Sequence, residues 1–161
     1  MPRIELTTTI HAPLERVIDL ARSLDLHADS MESTGERAVA GKTSGLFGPG
    51  DEVTWRARHF GVWQHLTSRA TGYERPWHFR DSMVRGAFRR FDHDHFFEAV
   101  NAETTVMRDV FDYDAPLGPL GWLAERMFLT RYMRRFLVLR NDHLKAVAES
   151  PDRWQRYLTA P

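Results

Sequence analysis

Hydrophobic and polar positions alternate with a period of two through much of the chain and switch to a helical period near its end. In IELTTTI (4–10), Ile4, Leu6, Thr8 and Ile10 share one face, which predicts a half-buried strand. Pro13 stands at an expected first helical position. Leu14, Val17, Ile18, Ala21 and Leu24 follow at helical spacing, predicting an amphipathic helix over 13–24 and a second short helix near 25–31. ERAV (36–39) reads as a brief strand, and GKTSGLFGPG (41–50) as a glycine-rich loop. A phosphate cradle needs its glycines to open a helix, whereas DEVTWRARH behind this loop alternates like a strand. The loop is therefore read as a flexible connector.

From 51 to about 114 strand follows strand. Val53, Trp55, Ala57 and His59 share one face, and a two-residue turn at Phe60-Gly61 would pair position 59 with 62. That register places Val62, Gln64, Leu66, Ser68 and Ala70 on the inner face. Trp77, Phe79, Asp81 and Met83 make the next apolar face, interrupted by one carboxylate. In FRRFDHDHFF (88–97), Phe91, His93, His95 and Phe97 fall on one side and Asp92 and Asp94 on the other. Between 104 and 114 the aromatic set Met107, Asp109, Phe111 and Tyr113 is favoured as the inner one, although either choice buries a charge.

Beyond APLGPLG (115–121), Leu129, Tyr132, Met133, Phe136, Leu137, Arg140, Leu144 and Val147 form one helical stripe ending near Ser150-Pro151. Residues 1–150 thus make one domain, and 151–161 read as a partly loose tail. The order is strand, two short helices, about six strands and one long helix. An antiparallel sheet must cover its apolar face, and the last helix is the only element large enough to do so. The expected fold class is α+β, a curved antiparallel sheet wrapped around a long C-terminal helix.

Composition narrows the function classes. With 161 residues, 42% hydrophobic and 27% charged, the chain suits one folded domain with a sizeable core. Lys+Arg and Asp+Glu both total 22, so no net field draws in nucleic acid. The absence of cysteine excludes disulfides and thiol nucleophiles. MPRIELTTTI lacks a signal-peptide pattern and no apolar run approaches a membrane span, so integral membrane association is not expected and a cytoplasmic location is the default. Ten Phe, five Trp and four Tyr are the one excess, and such rings can fill a core or line a cavity.

DEVTWRARHFG (51–61), ERPWHF (74–79), RGAFRRFDHDHFFE (85–98) and PLGPLGWLAERMFLTRYMRRFLVLR (116–140) resemble the bacterial polyketide cyclase/dehydrase-like branch of the SRPBCC superfamily. That superfamily of helix-grip proteins also holds the START lipid-binding domains and the major birch pollen allergen. The resemblance implies a ligand cavity between sheet and final helix. It transfers no catalytic residues, because the superfamily has no shared catalytic motif.

Within that frame, Trp55, His59, Phe79, Met83, Phe91, Phe97 and Phe111 are candidate cavity-wall residues on the strands, and Tyr132, Met133 and Phe136 on the helix, with plain core as the competing reading of each. His93-x-His95 has a spacing that metal sites on strands use, with Asp81 or His59 as a third ligand; a three-residue loop around Gly86 would pair 81 with 93. Phe neighbours rather than further ligands surround the pair, so no metal or other cofactor is expected. A catalytic reading makes His93 or His95 an acid or base oriented by Asp81 or Asp109. The plainer reading makes them polar marks on an oily wall. Arg131, Arg134 and Arg135 are read as a solvated helix face rather than a lipid-binding one. The leading expectation is a binder or carrier of a small hydrophobic ligand such as a lipid, isoprenoid or aromatic polyketide-like compound, with the loops at 41–50 and 115–121 as candidate gates. A cyclase- or dehydratase-type enzyme is the alternative, and a partner-binding module using the sheet's outer face is the third. Oligomeric state is not legible.

Overall fold

The computed structural model describes residues 2–114 and 128–158. The strands are β1 (Arg3–Ile10), β2 (Arg37–Gly41), β3 (Glu52–His59), β4 (Val62–Glu74), β5 (His78–Arg85), β6 (Arg90–Asn101) and β7 (Thr104–Asp114). The helices are α1 (Leu14–Ala21), α2 (Leu24–Ser30), α3 (Thr130–Ala148) and α4 (Gln155–Leu158). All seven strands join one antiparallel sheet in the order β1-β7-β6-β5-β4-β3-β2, so the first strand closes onto the last. This is the helix-grip arrangement: α3 lies across the concave face and α1 and α2 bridge between them. The candidate gate at 115–121 lies outside the described residues.

The two helices expected over 13–24 and near 25–31 form as α1 and α2, with the break at Arg22-Ser23 rather than after Leu24. Ser23 leaves the helical region at φ −71°, ψ 116°, and its Oγ accepts from the Leu26 amide, so it ends one helix and caps the next. Pro13, at φ −59° and ψ 144°, flanks α1 rather than opening it. The β3–β4 hairpin forms in the expected register, with His59 opposite Val62 and Trp55 opposite Leu66. Both turn residues take positive φ, Phe60 at 52° and Gly61 at 79°, as a two-residue turn matching the strand twist requires.

One irregularity alters the faces. β4 carries a bulge between Ala70 and Gly72, after which Tyr73, not Gly72, pairs with Phe79 and packs inward. At the far end of the same pairing Trp77 precedes β5 and is 55% exposed, whereas alternation placed it inside. Val62, at the hairpin tip, is likewise exposed. On β7 the aromatic set is the inner one: Met107, Asp109, Phe111 and Tyr113 are all buried. Of the stretch expected to be a loose tail, the described part, 151–158, folds back, and Tyr157 of α4 is buried with Ile18, Leu144 and Val147.

The core is divided into three clusters rather than one mass. The first joins α1 and the C-terminal half of α3 to Phe97 and Met107. A second gathers Ile4, Phe91, Phe111, Tyr113 and Leu137, and a third holds Leu24, Phe47, Val53, Trp55 and Ala70. Each large side chain buried here contributes about 1.5–3 kcal/mol. Where the three clusters would meet, they leave a gap.

Candidate functional site

That gap is a cavity of about 520 Å³ between the sheet and α3, within the size range that encloses a small organic ligand. Members of all three clusters face it: Phe79 from the first, Phe91, Phe111 and Leu137 from the second, Leu24, Phe47 and Trp55 from the third. Tyr132, Met133 and Phe136 supply the α3 side, as the helical stripe implied. Phe60 and Phe128 line the cavity while remaining 67% and 65% exposed, which marks their end as its mouth. Beside them His59 Nδ1 and the Tyr132 hydroxyl form a 2.7 Å hydrogen bond linking the tip of β3 to α3. Burial lowers the His59 pKa, outweighing the opposite pull of Glu36, so the ring is neutral in this bond at neutral pH.

Two expected wall residues are elsewhere. Phe97 faces inward but is buried with Ile10 and Leu144 under α1 and α3, and Met83 packs against the Phe91–Tyr113 cluster. Neither lines the cavity. Loop residues Phe47 and Phe88, which no strand or helix period could flag, do line it.

The polar part of the wall follows from register. Asp81 pairs with His93 and His93 with Phe111; Phe79 pairs with His95 and His95 with Asp109. Three neighbouring strands thus build a checkerboard in which each carboxylate stands diagonal to one histidine and level with the other. Ring stacking fixes the imidazoles: Phe79 lies on His95 with centroids 4.1 Å apart, and His93 meets the edge of Phe111 at 5.3 Å.

Asp109 is fully buried behind both histidines and does not line the cavity. Its Oδ1 accepts from His93 Nε2 at 3.1 Å and its Oδ2 from Asn141 Nδ2 at 2.6 Å. Arg140 Nη1 lies 3.5 Å from Oδ1, an ion pair without a hydrogen bond. His95 Nδ1 is 2.8 Å from the same oxygen, but its N–H direction misses it, and the nitrogen is left without a hydrogen-bond partner. On the cavity side, Asp81 Oδ1 is 3.4 Å from His95 Nε2 and 3.9 Å from His93 Nδ1. One nitrogen of each imidazole and an Asp81 oxygen all lie within 4.8 Å of one another.

Charge follows from these contacts. Burial pushes the Asp109 carboxyl upward, yet the histidines beside it outweigh that and hold it well below the usual carboxylate range. Asp81 is held low in the same way, with burial opposed by the hydrogen bond to His95 and the charge of both imidazoles. Burial, with His95 alongside, pushes His93 down to about 4 against the pull of Asp109. A neutral His93 therefore stands between two carboxylates at neutral pH.

Arg140 and Asn141 belong to this group although the sequence singled out neither as a site residue. Arg140 is 5% exposed, donates to the Ala21 carbonyl through Nη2 at 3.1 Å and lines the cavity. A stripe position occupied by Arg was the available signal.

No protein-family model matches the chain, and no curated protein matches it. Solved structures do. An aromatase/cyclase from Streptomyces sp. R1128 superposes with a TM-score of 0.74 at 17% identity, covering 92% of this chain and 93% of that one. A START superfamily protein from Mycobacterium smegmatis gives 0.68 at 10% identity, over 91% and 97%. Ginseng major latex-like protein 151 from Panax ginseng gives 0.64 at 13%, over 92% and 98%. The chain has the SRPBCC/START-like helix-grip fold.

Proposed function

We propose that the protein binds a small hydrophobic molecule in the cavity between the sheet and α3. The observation that carries this reading is a chamber of about 520 Å³ whose wall is mainly aromatic and aliphatic, with one polar group at Asp81, His93, His95 and Arg140 and other polar side chains, such as Arg22, His27, Glu36 and Gln64, elsewhere along it. The ligand's apolar body lies against Trp55, Phe91, Phe111, Met133 and Phe136. Its hydrogen-bonding end turns to the patch, where Arg140 Nη1 has no hydrogen-bond partner among the described residues. An oxygen acceptor, carboxylate or enol, suits that guanidinium. A ligand burying about 300 Å² of apolar surface gains roughly 7 kcal/mol before the costs of association. The fold shared with a START superfamily protein and an aromatase/cyclase supports an enclosed hydrophobic ligand. Native mass spectrometry of freshly purified protein, before and after incubation with a lipid extract, tests it. A stoichiometric apolar adduct is expected, and failure to take up any apolar compound overturns the reading.

A cyclase- or dehydratase-type enzyme is the second reading. It is favoured by one observation: His95 lines the cavity with Nε2 hydrogen-bonded to Asp81 at 3.4 Å and Nδ1 2.8 Å from buried Asp109, an imidazole flanked by two carboxylates. In that case His95→Ala abolishes turnover of a bound polyketide-like substrate while leaving affinity within a few-fold. Weakened binding alone leaves the carrier reading standing.

A further inference from the structure

Three donor atoms of the polar patch, one each from Asp81, His93 and His95, lie within 4.8 Å of one another. Each neutral imidazole has one N–H and one lone-pair nitrogen. His93 spends its N–H on Asp109 through Nε2 at 3.1 Å, so Nδ1 turns a lone pair toward Asp81 Oδ1 at 3.9 Å. His95 has carboxylate oxygens on both sides, Asp81 at 3.4 Å from Nε2 and Asp109 at 2.8 Å from Nδ1. With a proton on its Nδ1, His95 presents Nε2 beside His93 Nδ1 and Asp81 Oδ1, so that three electron-pair donors converge on one point of the cavity wall.

We propose that Asp81, His93 and His95 form a three-ligand site for a divalent first-row transition cation, braced from behind by Asp109. The donors would be Asp81 Oδ1, His93 Nδ1 and His95 Nε2. Two imidazoles and one carboxylate suit zinc, iron, cobalt or nickel. An ion with bonds near 2.0–2.1 Å spaces its donors by roughly 3.4 Å. The Asp81–His95 separation is already 3.4 Å, while the widest spacing, up to 4.8 Å, must contract. Asp81 can supply that movement, since its side chain is 19% exposed against 9% and 1% for the two histidines.

Asp109 makes the arrangement more than a coincidence of three residues. A ligating histidine ordinarily passes its other N–H to a carboxylate, which fixes ring and tautomer. Here one fully buried carboxylate faces the rear nitrogens of both rings, at 3.1 and 2.8 Å, and is itself held by Asn141 and Arg140. Binding of a cation at Nε2 places the His95 proton on Nδ1, and a small turn of the ring gives that orphaned nitrogen its acceptor. With three protein ligands the ion keeps coordination positions open toward the cavity, where it would polarise a ligand oxygen as a Lewis acid.

The inference is separable from ligand binding in the same chamber. Chelator-treated full-length protein is titrated with Zn²⁺ by calorimetry and with Co²⁺ by visible absorption, while uptake of an apolar fluorophore is followed in parallel. One equivalent of each metal is expected to bind, with at least a tenfold loss of affinity in Asp81→Asn and none in His11→Ala, an exposed control away from the cavity. Imidazole ¹⁵N shifts of His93 and His95 in the unsubstituted protein should move on adding Zn²⁺ while that of His11 stays, which requires no variant to fold. No saturable metal binding, wild-type affinity in folded Asp81→Asn, or unmoved His93 and His95 resonances overturns the site. Loss of fluorophore uptake alone overturns the ligand proposal and leaves this one intact.

Discussion

Replacing Asp109 by Asn keeps the shape of the side chain and removes its charge. The carboxylate is fully buried, accepts hydrogen bonds from His93 and Asn141, and is the one acidic side chain within ion-pair distance of Arg140 among the described residues. An Asn amide cannot serve all of them, because its nitrogen must point a donor at another donor. A hydrogen bond to a charged group contributes about 1.5–3 kcal/mol, and breaking one side of a buried ion pair costs about 3–5 kcal/mol. The two figures overlap in what they count, so about 3–5 kcal/mol is the expected loss. In a domain of this size each kcal/mol shifts Tm by about 2–4 °C, which gives a fall of roughly 6–20 °C. Asp92→Asn is the control. Asp92 lies on the outer face, its side chain is 37% exposed, and its ion pair with Arg90 is the kind that contributes about 0–1 kcal/mol. Urea unfolding followed by circular dichroism, with unchanged slopes, compares the two variants. A loss below about 1 kcal/mol for Asp109→Asn would refute the reasoning, since it would mean that water already reaches the carboxylate.

Three further outcomes follow from particular contacts. Ala57→Phe, on the cavity wall and 4% exposed, should leave the fold intact by circular dichroism while lowering apolar-probe affinity at least tenfold, because the new ring occupies ligand space. Tyr132→Phe breaks the bridge to His59 at the mouth; stopped-flow displacement should show faster ligand release, with a stability loss of about 1 kcal/mol. Asp19 accepts from Arg75 and Arg22, each at 2.9 Å, and these bonds prevail over the upward push of burial to hold its pKa below the ordinary 3.8. Its stabilisation is therefore complete above that ordinary value and lost as pH falls through the lowered one, so Asp19→Asn should flatten the acid limb of a stability–pH curve.

Where two signals agreed, the fold was legible. Alternation in DEVTWRARH and its partner, joined by a Phe-Gly turn, predicted both the pairing of 59 with 62 and the inward face of β3, because period and turn length each restrict register independently. The pairing of Asp81 with His93 came from a loop length in the same way. Tyr73 was passed over because a bulge reverses parity without leaving any mark in the hydrophobic pattern, and Trp77 was placed inside because alternation does not reveal that it still belongs to the turn before β5. Alternation also reports a face and not a depth. It put Phe79 and Phe97 on one side of the sheet, yet only Phe79 reaches the cavity, since α1 and the C-terminal half of α3 cover Phe97. Asp109 was on the correct face, but its place behind the histidines depends on Asn141 and Arg140 arriving from a helix some thirty residues onward.

Stability alone gives no reason for imidazoles, carboxylates and a guanidinium in this wall. A buried ionic group of this type is often no more stabilising than apolar side chains of the same volume. The neighbouring face of the same strands shows what a structural network looks like: Asp94 is held by Arg80 at 2.8 and 2.9 Å and by His78 at 2.7 Å, and Arg80 keeps 45% of its side chain in water. The inner group differs in the way that matters for function. Its nearest polar atoms are not all used on one another; Arg140 Nη1 and His95 Nδ1 lack hydrogen-bond partners, and a nitrogen from each histidine meets Asp81 at the edge of an enclosed, oily space. A polar group left incomplete inside a cavity can be completed by what the cavity holds, and the proposed occupant, bringing an acceptor, a cation or both, would supply what this wall lacks.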